Sequence, residues 1–570
     1  VTAGTAVRWS IIPADDRLRM TFAVQGDSAV CVDGLELVFP FDPGVTPTTV
    51  LPSEWVNDGS LRLPAMISAP DFGQMMLLET GGRRLKAHLE GSRVEKLVNF
   101  IVELPALKAG ETCALSLTPT RLAAPEGLAD QALWAVARRG WVGAFQPSAQ
   151  WADQHQAISA PAGVLANNVV SDPASVSLWF YADQALWTPE LERGISVMAL
   201  VRRSVDWWLE RTRSNGEVIG YWDYGNFLDA NAGVLIAAWD YVEATGDQPW
   251  LTARIARPAR FGGERHEKFT ERIERLEFIA DFLAKRDVDG DGLVEALQSG
   301  NRGLLKDPGR SCGWFDALNA GHKDGYANAL IYRAWRCLAD LEGRLGRLEK
   351  QARYRELADR LKAAYAKTLY NPLTGWLAWW KSEDGELHDY ATPLVNGLAI
   401  EYGLVEPAQG REILARLWKK IASVGFQRLD LGVPAMLVPV RRCDYLQPAL
   451  GAPQREDGAD TLGHYQNGGI HSGQALHFLA AHYVVGQPEQ ADQVLRAMLQ
   501  RQAAGKFQNG VCNVGGQGAE WADWQGQPSG YEGYLADNYI FLQAVLLREA
   551  PFRARFYRPL APKAMSGAQR

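Results

Sequence analysis

The sequence predicts a multidomain α and β protein: an N-terminal antiparallel β-sandwich over residues 1–185, followed by an (α/α)6 barrel over residues 186–570. Two observations predict it. Up to about Asp183 the chain runs in short alternating segments broken by Gly, Pro and Asp, and from Pro189 onward the apolar period becomes helical. Within that second part, helices charged along one face alternate with helices that are apolar or small nearly all round. A closed ring of helical hairpins requires this order, each hairpin giving one exposed and one central helix.

The elements follow from their residues. Arg17 to Val24 (RLRMTFAV) and Leu97 to Leu104 (LVNFIVEL) alternate with period two, as strands with one buried face do. The charged helices, expected outside, are Glu190 to Arg213, Glu264 to Lys285, Glu349 to Lys367, Ala408 to Ile421 and Glu489 to Arg501. The apolar helices, expected inside, are Ala230 to Val242, Tyr326 to Ala339, Ala391 to Leu404, Gly473 to Val485 and Tyr534 to Leu547. A sixth pair is expected around Leu429 to Val438.

Composition excludes several classes of function. The formal charge of −7 and the lack of a Lys/Arg stripe argue against a nucleic-acid partner, which needs a basic surface. No apolar run reaches the roughly 18 to 20 residues that span a bilayer, so no membrane partner is expected. The chain starts at Val1 without a charged-then-apolar leader, so the protein is expected to be exported, periplasmic or extracellular, if a signal was removed before Val1, and cytoplasmic otherwise. Its six cysteines are scattered without a CxxC pair, which predicts reduced core thiols, with one or two disulfides as the alternative. Oligomeric state is left open.

Each of the five clear inner helices follows a loop crowded with aromatics, carboxylates, amides and histidines. If the inner helices run parallel, these loops meet at one end. Sugar rings present C–H faces that stack on Trp and Tyr, and hydroxyl rims that need Asp, Glu, Asn, Gln and His. Fifteen of the twenty tryptophans lie from Trp179 onward, many of them in these loops. The expected substrate-binding residues are Trp222, Asp223, Tyr224, Asp229, Trp314, His322, Trp379, His388, Gln466, Asn467, His471, Glu520, Trp521 and Tyr531. Asp229 reads equally well as a helix N-cap, and large aromatics also serve simply to close a barrel mouth. His477 and His482 fall within an inner helix and read as structural.

The stretch Arg286 to Glu295 (RDVDGDGLVE), then Trp314-Phe-Asp316, then Tyr326 to Arg333 (YANALIYR), resembles the catalytic segment of six-hairpin glycosidases related to glycoside hydrolase families 63 and 37. Tyr465 to Gly469 (YQNGG) and Gly530 to Gly533 (GYEG) resemble C-terminal loops of that superfamily, in which a Glu is the base. The likeness spans roughly residues 190 to 550, with Phe315 inserted between the Trp and the Asp of the second motif. It implies an oligosaccharide or glycoside substrate, with Asp316 as acid and Glu532 as base. Trp314 and Phe315 would desolvate Asp316 and keep it protonated, while Glu532 between glycines would stay ionised. Glu295 is the rival acid and Glu520 the rival base.

Asp287, Asp289, Asp291 and Gly292 imitate the first half of a calcium loop. The twelfth position is Gln298, which excludes a full EF-hand and leaves either a smaller structural calcium site with Glu295 or a plain Asp/Gly turn. No other cofactor is expected. The expected function is an inverting, exo-acting glycoside hydrolase on an α-glucoside-like or related linkage. The alternatives are a glycoside phosphorylase using His464, His471 and Arg302, another sugar-active enzyme of this superfamily (epimerase or lyase), and a non-catalytic carbohydrate-binding protein.

Overall fold

The computed structural model describes residues 6–26, 30–41, 49–56, 60–69, 73–80, 84–92, 97–119, 130, 164–165, 178–187, 190–192, 195–218, 227–255, 271–296, 313–315, 317–446, 452–504, 521–530 and 542–549. It is a mixed α and β protein, with a curled antiparallel sheet followed by many helices.

Nine strands form one hydrogen-bonded sheet. They are β1 (Ala6–Ala14), β2 (Arg17–Gln25), β4 (Glu36–Phe41), β5 (Thr49–Trp55), β6 (Leu61–Ala69), β7 (Gly73–Thr80), β8 (Lys86–Ser92), β9 (Leu97–Glu103) and β11 (Thr112–Pro119). Two short strands, β3 (Cys31–Val32) and β10 (Leu107–Lys108), pair beside it. Where a two-sheet sandwich was expected, the described strands join in one forked sheet. Leu61 and Arg62 of β6 pair with β8, Ala65 to Ala69 pair with β7, and β5 holds the other edge, so two leaves share one strand.

The period of two assigns the faces. Leu61, Leu63, Ala65 and Ile67 of β6 point to a core closed by Met20, Val24, Phe100, Val102 and Leu115. Met66, with Leu51 and Met76 on neighbouring strands, points the other way and joins the helical core.

The helices are α1 (Leu178–Trp187), α2 (Val197–Glu210), α3 (Leu228–Thr245), α4 (Pro249–Thr252), α5 (Arg272–Ala284), α6 (Gly325–Arg344), α7 (Leu348–Leu369), α8 (Pro393–Glu401), α9 (Pro407–Ser423), α10 (Ala475–Val484), α11 (Pro488–Ala503) and α12 (Leu542–Leu547). Burial separates them as the patterning predicts. In α8 every residue is buried, whereas α7 buries only Tyr354, Ala358, Leu361, Ala364, Tyr365 and Leu369. The helices α1, α3, α6, α8, α10 and α12 pack each on the next, and α12 packs back on α1. The sixth member of this series is therefore α1, which the sequence reading assigned to the β part, so the boundary expected at residue 185 falls inside a helix. Around Leu429 to Val438, where a sixth pair was expected, the helical content is a single 3-10 turn at Leu429–Leu431.

Within this packed series lies a belt of polar side chains, at least one from each of the six helices. Arg333 of α6 makes a bidentate pair with Asp183 of α1, reaches Asp240 of α3 at 3.4 Å and donates to the Tyr402 hydroxyl, just beyond α8, at 3.2 Å. Glu401 of α8 bonds His477 Nδ1 of α10 at 2.5 Å and accepts from Gln543 Nε2 of α12 at 2.9 Å, and Gln543 in turn bonds Gln184 of α1. Burial, with Asp183 beside it, pushes Asp240 well above the ordinary carboxylate range, against the pull of Arg333.

Among the described residues no helix is long and apolar enough to cross a membrane. Cys31, Cys113, Cys337 and Cys443 are free thiols.

Candidate active site

The loops ahead of the inner helices are tied to one another by short backbone contacts. Lys323 and Asp324, entering α6, pair with Lys381 and Trp380 in the strands ahead of α8. Leu318 bridges Tyr445, and Ala317 N donates to Gln466 Oε1 at 3.0 Å. Ile470 and Ala522 bond each other through both backbone groups, and Trp524 Nε1 donates to Gly468 O at 2.6 Å. These links bring the loops before α6, α8, α10 and α12 to one place.

A continuous chain of rings fills that place. Trp314 lies 5.3 Å from Phe315, which meets Trp379 edge-on at 4.5 Å; Trp379 continues to Trp380 at 5.6 Å, and Trp380 stacks on His388 at 4.5 Å. On the other side Trp314 faces His471 at 6.1 Å, His471 faces Tyr465 at 6.1 Å, and Tyr465 faces Trp521 at 6.3 Å. Five expected residues, Trp314, Trp379, His388, His471 and Trp521, thus belong to one cluster. Trp314, His464 and Tyr465 keep partial exposure, so they form its accessible surface, while Trp379 is fully buried behind them.

The YQNGG loop owes its sequence to a tight turn. Tyr465 takes φ +44° and Gly468 φ +79°, and Gly469 N donates to Tyr465 O at 2.8 Å. A Cβ at Gly469 would stand 2.4 Å from Tyr465 O, so only glycine fits. Positive φ at a tyrosine costs on the order of 1 kcal/mol or more. The turn holds that strain while aiming the ring between His471 and Trp521.

Some expected sugar contacts are braces instead. His388 has both ring nitrogens engaged, Nδ1 with Asp444 Oδ2 at 2.9 Å and Nε2 with Ser382 Oγ at 3.0 Å, and is 3% exposed. Asn467 accepts from Val440 N and donates to Thr461 O, both at 2.8 Å, which leaves it little capacity for a hydroxyl. Gln466 spends its carbonyl on Ala317. His322 faces Glu295 at 3.4 Å, beside the acidic turn. Asp229 does not cap its helix, because the N-cap is Phe227; its Oδ2 accepts Trp314 N at 2.7 Å.

The acidic turn has cations of its own. Lys323 Nζ lies 2.5 Å from both Asp289 Oδ2 and Asp291 Oδ2, and Arg360 reaches Asp287 at 2.7 Å. The three carboxylates are close enough to share an ion, but the ammonium stands between two of them. Burial and the charge of Asp289 raise Glu295 above the ordinary range, against the pull of Lys323.

Asp316, Glu532, Glu520, Trp222, Asp223, Tyr224 and Tyr531 lie outside the described residues. Trp179 and Phe180 are site neighbours that the sequence reading missed. Phe180 meets Trp314 at 6.0 Å and Trp179 stacks on His477 at 5.2 Å. The available signal was an apolar run, Leu178 to Trp187, interrupted only by Asp183 and Gln184, polar groups that a buried helix keeps for a purpose.

Neither a protein-family model nor a curated protein matches the chain. Solved structures similar to it include a rhamnosidase from Klebsiella oxytoca with rhamnose bound (12% identity, 96% of this chain and 89% of that one, TM-score 0.45). A GH78 family rhamnosidase of Bacillus sp. GL1 is similar at 12% identity (94% and 47% covered, TM-score 0.44), and a bacterial glucoamylase complexed with acarbose at 11% (97% and 82%, TM-score 0.45). The chain spans about half the length of the Bacillus enzyme. All three of these neighbours are glycosidases by name.

Proposed function

We propose that the protein is a glycoside hydrolase, inverting and exo-acting, whose six inner helices form an (α/α)6 barrel with the site at their N-terminal ends. Asp316 is the acid that protonates the leaving oxygen, and Glu532 the base that activates water, the pair about 6.5 to 9.5 Å apart as inversion requires. The observation that carries the reading is the ring cluster from Trp380 through Trp314 to Trp521, with accessible faces at Trp314 and Tyr465. Such faces stack on pyranose C–H surfaces. In the sequence Asp316 follows directly on Trp314 and Phe315 of this cluster, and apolar neighbours favour a protonated acid. An α-glucoside-like or related linkage in an oligosaccharide or glycoconjugate is the proposed substrate.

Burial lowers the His464 pKa, which weakens this imidazole as a cationic anchor for phosphate. Time-resolved NMR of the products from a panel of oligosaccharides, with and without phosphate, tests the proposal. It predicts free sugar of inverted anomeric configuration, at a rate independent of phosphate. A sugar phosphate as product, or binding without turnover across the panel, would sink it.

A further inference from the structure

Asp229 sits in the first turn of α3, is fully buried, and faces the loop of Trp314 from behind. Its Oδ2 accepts Trp314 N at 2.7 Å, and a Cβ on Gly313 would come within 3.2 Å of the same oxygen, so the loop backbone lies directly against the carboxyl. Its other oxygen, Oδ1, is buried with no hydrogen-bond partner among the described residues. No described cation pairs with it. A charged carboxylate in that setting would be severely penalised, whereas a carboxylic acid keeps one oxygen as acceptor and carries its proton on the other.

We infer that Asp229 is a positioning residue: an uncharged carboxylic acid that grips the backbone of Trp314 and so fixes the loop carrying Trp314 and Asp316. This assignment rests on the proposed site, but its geometry stands on described residues alone. The bond reaches the Trp314 amide, two residues ahead of Asp316, and Trp314 packs in turn on Phe180 and His471. Burial pushes the Asp229 pKa up to about 8; the Trp314 N–H bond pulls the other way, and the neighbouring Asp324 adds to the rise. Asp324 caps α6, which packs on α3, through the Tyr326 and Ala327 N–H groups. Of the other ionisable groups on α3 and the helices packed against it, Asp183 and Arg333 pair beside Asp240, Arg344 pairs with Glu243 and Asp340, and Arg272 pairs with Asp206.

The sign follows from the raised value. The proton is retained in the folded chain up to about pH 8 but leaves the unfolded chain near 3.8, so folding stability falls as pH rises through that interval. Asp229→Asn replaces the acid by a neutral group of the same shape, with a carbonyl to accept Trp314 N–H. Relative to wild type, its melting temperature should gain by at least about 2 °C between pH 5 and pH 8.5. A difference that stays constant with pH would overturn the uncharged state.

Positioning is read by hydrogen exchange of the peptide spanning Gly313 to Ala317. Asp229→Ala should speed exchange there by about 10-fold or more, because the Trp314 amide loses its acceptor, and Asp229→Asn should not. Equal protection in all three proteins would overturn the role. If Asp229→Ala does not fold, the melting comparison with Asp229→Asn decides alone. In turnover, wild type should lose kcat on the alkaline side near pH 8 and Asp229→Asn should lack that limb. Absence of any glycoside hydrolysis would defeat the proposed function, while exchange and melting would still decide the inference.

Discussion

At Asp444 a single carboxylate gathers three side chains. His388 Nδ1 lies at 2.9 Å, the Tyr390 hydroxyl bonds it, and Arg441 reaches it through NH2 at 3.1 Å while pairing Glu386 at 2.7 Å; Ser382 completes the cluster beyond the imidazole. Burial alone would raise its pKa, but the bond and charge of His388, then Tyr390 and Arg441, outweigh burial and hold it at about 2. A depressed value contributes stability above the ordinary value of 3.8, lost as pH falls through about 2. Asp444→Asn should therefore cost roughly 2 kcal/mol at pH 7, with the penalty shrinking below pH 3. Chemical denaturation across that range checks this, and a penalty unchanged at pH 2.5 would contradict it. The same cluster shows what the sequence left illegible. His388 reads as a sugar contact because it stands in an aromatic loop, yet its partner lies 56 residues away. Composition tells which side chains a loop holds, and pairing across loops decides which of them stay free.

Helices were legible because their period is local. The apolar-all-round and one-face-charged patterns located α3, α6, α8 and α10, and outer helices such as α7 and α9, within a few residues, since burial on every side requires an apolar surface on every side. The forked sheet was not legible, because β6 pairs with three strands and no local pattern encodes which. Helix α1 was missed for a different reason: its Trp, Phe and Tyr suit strands as readily as helices. Close helix approach makes its own demand on sequence. At Gly397 a Cβ would stand 2.6 Å from the His477 carbonyl carbon and from Phe478 N, where α8 crosses α10. Alanine ordinarily gains about 1 kcal/mol over glycine within a helix, but here the obstacle is backbone that cannot rotate aside. Overpacking costs about 1 to 3 kcal/mol, so Gly397→Ala should lower the melting temperature. Calorimetry showing an unchanged or higher value would mean that the two helices do not meet so closely.

Across the whole molecule, an apolar series of six helices is interrupted by charged and amide side chains that bond one helix to the next. Arg333→Met would leave Asp183 buried without its guanidinium, a loss of about 3 to 5 kcal/mol. Adding Asp183→Asn should recover part of it, and a denaturant midpoint for the double variant no better than for the single one would show that the belt does not act as a unit. The aromatic cluster meets the belt where Trp179 stacks on His477, and the proposed hydrolysis assigns cleavage of the glycosidic bond to Asp316 and Glu532. That claim is tested most directly by the turnover of Asp316→Asn and Glu532→Gln beside wild type on a natural oligosaccharide and on an activated aryl glycoside of the same sugar. Each variant should lose about 10² to 10⁴ in kcat on the natural substrate, and the aryl glycoside should restore Asp316→Asn far more than Glu532→Gln, since a good leaving group needs little protonation while water still needs its base. Wild-type turnover by either variant would contradict the account and pass the role to Glu295 or Glu520.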